Sequence, residues 1–270
     1  MLKKRILTAM ALAGALLFVL FAIPPRWTVL AFGGVFTLGA WEWSGFGELR
    51  SAPARIAYAL GIAALLFFAW LWSESPAHLV ILLFAACAWW LVAFLWLTLA
   101  PGRHQPLLAL CSGVPVLVPS FAAIARLQIA TQGFTRGPEA VLWLILMVIG
   151  ADIGAFFAGR HFGRLKLAPR VSPSKTWEGA LGGIATVLVV AWLGAAHFGL
   201  ALEPTLAFGG AVGIFSIVGD LTESMFKRSA GLKDSGVLLP GHGGVLDRFD
   251  SVTAAAPLYA LGLFGTGVLA

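Results

Sequence analysis

An all-α polytopic membrane bundle of about nine transmembrane helices is the architecture expected of this chain, on three grounds. Sixty percent of its residues are hydrophobic and only 11% are charged, whereas soluble domains carry about 25% charged residues. Apolar runs recur along it, several approaching the ~20 residues needed to cross a bilayer core. The cations, moreover, fall very unequally on alternate sides of those runs.

The runs lie at 6–23, 27–43, 56–72, 77–100, 107–125, 138–159, 179–200, 206–226 and 252–269. The first follows Lys3, Lys4 and Arg5. Its apolar stretch is longer than the ~7–15 residues of a signal-peptide core, and no clear cleavage site follows, so it reads as an uncleaved helix. The second, third and fifth are short or interrupted by Gly and Pro. Trp27, Trp41, Trp43, Trp70 and Trp72 fall near proposed ends, as interfacial anchors do. The sixth and eighth run into Asp152 and Asp220, and the ninth begins just after Asp250.

Nine crossings put the N-terminus and the loops after spans 2, 4, 6 and 8 on one side. All of the 18 Lys and Arg residues except Arg26, Arg126 and Arg136 then share that side. Cytoplasmic loops are the ones enriched in Lys and Arg, so the N-terminus is expected in the cytoplasm and the C-terminus outside. A miscount by one span would abolish the separation, so the bias also supports the count. The net charge of +6 is accounted for by this topology, and no nucleic-acid partner is expected. Cys87 and Cys111 sit inside apolar runs with no metal-ligand spacing and read as small buried hydrophobes.

The chain divides by chemistry. Residues 1–137 are mostly apolar helices with scattered charges, expected to act as a scaffold. Residues 138–270 carry the purposeful acids Asp152, Glu178, Asp220, Glu223, Asp234, Asp247 and Asp250. Glu42, between Trp41 and Trp43 near a span end, is accounted for by interfacial placement.

Three polar clusters stand out. In IGADIGAFFAGRHFGR, Asp152 follows an apolar run, and a carboxylate at membrane depth costs about 2.5–3.5 kcal/mol on insertion scales. It is either interfacial or part of a polar pocket. In RVSPSKTWEG, Ser174, Lys175 and Thr176 precede a helix start, where hydroxyls and amides either bind an anion or merely cap the helix. The richest stretch is GDLTESMFKRSAGLKDSGVLLPGHGGVLDRFDS, 219–251. On a continuing helix Asp220, Glu223, Ser224 and Lys227 share one face. Gly231, Gly236, Pro240, Gly241, Gly243 and Gly244 then enforce a loop, closed by Asp247, Arg248 and Asp250.

Carboxylates without His or Cys partners suit a hard, oxygen-seeking cation, of which Mg²⁺ is the usual one beside phosphates. Lys227, Arg228, Lys233 and Arg248 suit phosphate oxygens, and glycines let backbone N–H groups approach a polyphosphate. Together they point to metal-assisted phosphoryl or nucleotidyl transfer. No P-loop, HExxH, GxSxG or GxGxxG pattern competes. An ion-coupled transporter using Asp152 and Asp220 stays open on the residues alone.

SMFKRSAGLKDSGVLLPGHGGVLDRFD, 224–250, resembles the signature of the phosphatidate cytidylyltransferases, or CDP-diacylglycerol synthases. It matches that pattern at every defined position: Ser-x-apolar-Lys-Arg, four residues, Lys-Asp, then Pro-x-His-Gly-Gly-apolar-x-Asp-Arg-apolar-Asp. Asp152 to Gly163 and SPSKTWEG, 172–179, resemble a second family stretch. Phe156 stands where many members have Tyr, so the likeness implies no hydroxyl there. The amino-terminal half matches in hydropathy alone.

The resemblance implies transfer of CMP from CTP to phosphatidic acid, giving CDP-diacylglycerol and pyrophosphate in phospholipid biosynthesis with Mg²⁺, a second metal ion being compatible. It implies Asp220 and Asp247 as metal carboxylates, with these two, Lys227 and Arg248 as the catalytic set. Asp152, Ser174, Lys175, Thr176, Ser224, Arg228, Lys233, Asp234, His242, Gly243, Gly244 and Asp250 are the implied substrate-binding positions. The expected partners are CTP, phosphatidic acid, the lipid bilayer and a second copy of the chain in a homodimer. The expected setting is a bacterial-type inner (cytoplasmic) membrane, with the active site facing the cytoplasm.

Overall fold

The computed structural model describes residues 2–101, 105–130, 137–238 and 243–265, with side chains described between 10 and 264 in those ranges. Nine α-helices lie within them: α1 (Leu2–Phe21), α2 (Pro25–Trp43), α3 (Ala52–Trp72), α4 (Pro76–Leu99), α5 (Pro106–Ile129), α6 (Gly137–Phe162), α7 (Trp177–Phe198), α8 (Leu202–Ser229) and α9 (Asp250–Gly265). Each covers one of the expected spans. Six of them, α3 to α8, are long and apolar enough to cross a membrane. The protein is therefore an integral membrane helical bundle.

Proline sets many of the starts. It occupies the first turn of α2, α3, α4 and α5, where its missing N–H would have no helical partner in any case. Between α6 and α7 lies a departure from the all-α expectation. Strand β1 (Lys166–Ala168) pairs antiparallel with β2 (Ser172–Thr176), Lys166 opposite Thr176 and Ala168 opposite Ser172. Pro169 and Pro173 flank this turn. Proline resists helix continuation, and a short hairpin pairs the backbone groups that a helix would otherwise satisfy.

The interior is built around α5, whose residues from Val116 to Ala125 are almost all buried, against α2, α3, α4, α6 and α9. Pro115 and Pro119 lie within it without ending it. The hydroxyl of Ser120 donates to the carbonyls of Val116 and Thr253, tying α5 to α9. Side-chain and neighbouring-helix bonds of this kind let membrane helices tolerate proline. This is why the fifth span, interrupted by Gly and Pro on paper, is a single 24-residue helix.

α6 and α7 make the most extensive helix pair. A Cβ on Gly154 would meet the carbonyl oxygen of Gly182 at 2.5 Å, and one on Gly183 the carbonyl oxygen of Ala151 at 2.8 Å. Small residues on both helices allow this approach.

Two expectations change. Trp43 is no interfacial anchor: it is buried, and its indole N–H donates to the carbonyl of Ala109 at 2.6 Å. Cys111 is exposed rather than buried, because it lies near the start of α5, before the stretch the other helices enclose, and a membrane protein shows such apolar side chains to lipid. The same reason places Phe67, Phe84, Leu99 and Trp192 on the surface.

Candidate active site

A cavity of about 420 Å³ opens where α6, β2, α7 and α8 converge. Its polar wall is Asp152 and Arg160 from α6, Ser174, Lys175 and Thr176 from β2, Ser216 and Asp220 from α8, and Ser251 from α9. Phe156, Leu167 and Ile217 form the apolar part. The hairpin is what brings the second cluster to the others. In an extended strand neighbouring side chains alternate sides, so Lys175 can turn toward α8 while Thr176 turns inward.

Lys175 donates to and ion-pairs with the Asp220 carboxylate across the cavity, and Ser224 donates to the other oxygen of Asp220 at 3.3 Å. Thr176 does what its position before α7 allows: its hydroxyl accepts from the N–H of Gly179 at 3.1 Å as the N-cap. Thr176 is thus occupied by capping even though it lines the cavity beside Ser174 and Lys175.

The second half of the site lies beyond α8. Lys227 is buried in the last turn, with Nζ 3.0 Å from Glu223 and 2.6 Å from Asp247. Lys227, which the resemblance implies as a phosphate-binding residue, is paired here with two acids of the chain itself. Asp247, in a 3₁₀ turn over Leu246–Arg248, also accepts from the N–H of Ser235 at 3.0 Å and of Gly244 at 2.8 Å. Burial disfavours its charged form, but the Lys227 bond and the Gly244 and Ser235 amides outweigh that and hold the carboxyl below the usual carboxylate range.

Gly243 has a φ of +83°, and a Cβ there would lie 2.7 Å from Asp247 Oδ2. Only glycine adopts that backbone cheaply. Arg248 and Lys233 are exposed, and Arg228 is exposed with a bond to the Leu232 carbonyl at 3.2 Å. Asp234 lies on the same exposed loop, beside Gly243. His242 lies outside the described residues. Asp250 opens α9, its Oδ1 accepting from the N–H of Ser251 at 2.7 Å.

The charges form one connected set. Asp152 feels Asp220, Lys175 and Arg248; Asp250 feels Asp220, Lys227 and Lys175; Glu223 feels Asp250 and Asp247. Asp220 lines the cavity, and Asp247, among the described residues, does not.

Among the described residues no three acidic, His or Cys groups gather closely enough to hold a metal by themselves. Mg²⁺ needs fewer, since it keeps water, takes oxygens from a bound phosphate and uses only one or two carboxylates.

Glu42 is the residue that the interfacial reading missed. It is 1% exposed. Its carboxylate accepts from the Ser235 hydroxyl at 2.9 Å, the Val245 N–H at 3.0 Å and the Leu246 N–H at 2.8 Å. The signal for it was available: the cost of a carboxylate within an apolar helix applies to Glu42 as it does to Asp152.

A helical membrane bundle with a polar cavity of basic, hydroxyl and carboxylate groups at the ends of its helices defines a class: membrane enzymes equipped for phosphate chemistry. The profile of the family described as "Cytidylyltransferase family" matches residues 3–264, and the chain belongs to that family. It is similar to the phosphatidate cytidylyltransferase of Haemophilus influenzae, 40% identical over 96% of this chain and 98% of that one. It is also similar to that of Pseudomonas aeruginosa, 39% identical over 99% and 98%. A protein of the same name from Synechocystis is 46% identical over 47% of this chain and 44% of its own. The likeness therefore extends through the amino-terminal half, beyond the hydropathy match expected there.

Proposed function

We propose that this enzyme transfers CMP from CTP to phosphatidic acid, giving CDP-diacylglycerol and pyrophosphate. The observation that carries the proposal is the Lys175–Asp220 pair, set in a charged cavity at the ends of membrane helices. A water-soluble nucleotide and a lipid headgroup can meet there.

In the proposed reaction a non-bridging oxygen of the lipid phosphate attacks the α-phosphorus of CTP. The bond from that phosphorus to the oxygen bridging to the β-phosphate breaks, and pyrophosphate departs with the bonding electrons. The nucleophile is already anionic, so the barrier is chiefly charge repulsion. Positioning and neutralisation therefore dominate.

Lys175, Arg248, Arg228 and Lys233 are assigned to the phosphates. Lys227 is assigned to Asp247, which it already holds. Asp220 and Asp247 would hold Mg²⁺, with Asp152 and Asp250 adding negative charge nearby; when bound, the metal supplies Lewis-acid neutralisation of phosphate charge. Ser174, Ser224, Asp234, His242, Gly243 and Gly244 shape the nucleotide side. Nine crossings, a cytoplasmic N-terminus, a cytoplasm-facing site in a bacterial-type inner membrane and a homodimer complete the proposal.

The deciding experiment uses purified full-length protein in detergent with labelled CTP. Label should enter the lipid phase, and pyrophosphate should appear, only when phosphatidic acid is supplied and not with other lipid phosphates. Chelation should stop both and Mg²⁺ should restore them. Equal turnover with any lipid phosphate would overturn the substrate assignment, and full activity under chelation would overturn the metal.

A further inference from the structure

We infer that Glu42, on the second helix, is a positioning residue for the catalytic turn, acting through the two backbone amides, Val245 and Leu246, that lead into Asp247. This rests on the proposed role of Asp247. The geometry is reciprocal. Ser235 gives its N–H to Asp247 and its hydroxyl to Glu42. Gly244 gives its N–H to Asp247, and the next two residues, Val245 and Leu246, give theirs to Glu42. The two carboxylates thus divide one run of donors, and the turn carrying Asp247 and Arg248 is held from both sides.

The space around Glu42 is shaped for this. A Cβ on Gly236 would come within 2.7 Å of the Glu42 carboxyl carbon. A Cβ on Gly244 would lie 2.7 Å from the Gly236 nitrogen and would also crowd Glu42 and Ser235. α2 backs the same turn elsewhere: Phe36 packs on Phe249 at 5.0 Å between ring centroids, and Gly39 leaves room for the Phe249 ring. Arg55 fixes the helix end beyond Glu42, donating to the Trp41 carbonyl at 2.9 Å and the Ser44 hydroxyl at 3.0 Å.

Glu42→Gln keeps the size but places an NH₂ where an acceptor is needed. Either Val245 or Leu246 then faces a donor with its own N–H. We expect kcat to fall about 10–100-fold, the range for partners that orient a reacting group, with the KM for CTP changed less than about threefold. Hydrogen exchange at Val245 and Leu246 should accelerate while the amides of α4 and α5 keep their protection. Ser235→Ala, which removes one donor to Glu42 and keeps the Ser235 N–H on Asp247, should lower kcat less, again with KM held.

Asp247→Asn is run in parallel on full-length protein in nanodiscs. An active Asp247→Asn overturns the site assignment itself. An inactive Asp247→Asn beside wild-type kcat in Glu42→Gln overturns only the positioning role. A rise in KM at constant kcat, or unchanged exchange at Val245 and Leu246, overturns it as well. If Glu42→Gln fails to fold, Ser235→Ala decides by the same readings.

Discussion

Lys227 sits between Glu223 and Asp247 with 11% of its side chain exposed. The two carboxylates are themselves 3% and 8% exposed. Removing one partner of a buried ion pair leaves uncompensated charge, at a cost of about 3–5 kcal/mol. Lys227→Met should therefore lower thermal stability in detergent sharply, and Lys227→Arg should recover part of it. A Lys227→Met protein with unchanged melting would show that the triad carries no stability. Asp220→Asn tests the cavity instead. Loss of turnover with near wild-type stability is expected, because the amide oxygen still accepts from Lys175 and the Ser224 hydroxyl, which can also accept, takes the amide N–H.

At this scale residue type and spacing mark out the polar cluster, and the resemblance of its signature singles out Asp220, Lys227, Asp247 and Arg248 within it. Of the two acids that Lys227 touches, Glu223 is legible, four residues away on the same helix face, and Asp247 is not, because it reaches Lys227 only through the loop. Glu42 was legible as an anomaly and misread as interfacial, since nothing local showed the amides of Val245 and Leu246 coming to it.

Among the elements, α6 and α7 decide the shape of the cavity. Asp152, Phe156 and Arg160 hang from one, and the hairpin and Gly179 lead into the other. Gly154 packs so closely on Gly182 that a larger residue must push the helices apart. Overpacking of this kind costs about 1–3 kcal/mol. Gly154→Leu should thus destabilise the protein by that order and reduce turnover, whereas a bulky residue at Gly61, which meets nothing nearby, should do neither. Parallel thermal melts and CTP turnover of the two variants check this.

Helix positions were legible to within a few residues, because length and apolarity are properties of the segment itself. The hairpin was not. Its strands are three and five residues long, and their pairing depends on the two helices that hold their ends together.

For the whole molecule, the proposed nine crossings would put the α6–α7 hairpin and the α3 start on the cytoplasmic face, with the α7–α8 connection opposite. In a background lacking Cys87 and Cys111, Arg170→Cys should react with an impermeant thiol reagent only from the cytoplasmic side. His197→Cys, near the end of α7 and more than half exposed, should react only from the other. Labelling of both from one side would refute the count. The sequence-level division into scaffold and catalytic region is too sharp: α2 belongs to the scaffold by composition, yet its Glu42 and Phe36 support the turn that carries Asp247.

That contact spans 203 and 204 residues of chain, which has a consequence for biosynthesis. At ~5–20 residues per second, the ribosome needs on the order of 10–40 s after making α2 to produce the amides that Glu42 will bind. Throughout that interval the carboxylate lacks the two amides that will hold it, and its tryptophan neighbours and helix-end position can keep it near the membrane–water boundary. The interfacial description that fails for the finished protein therefore describes the waiting chain. The last turn to be synthesised before α9 ends that wait, and an enzyme interrupted before it would be inserted but unfinished.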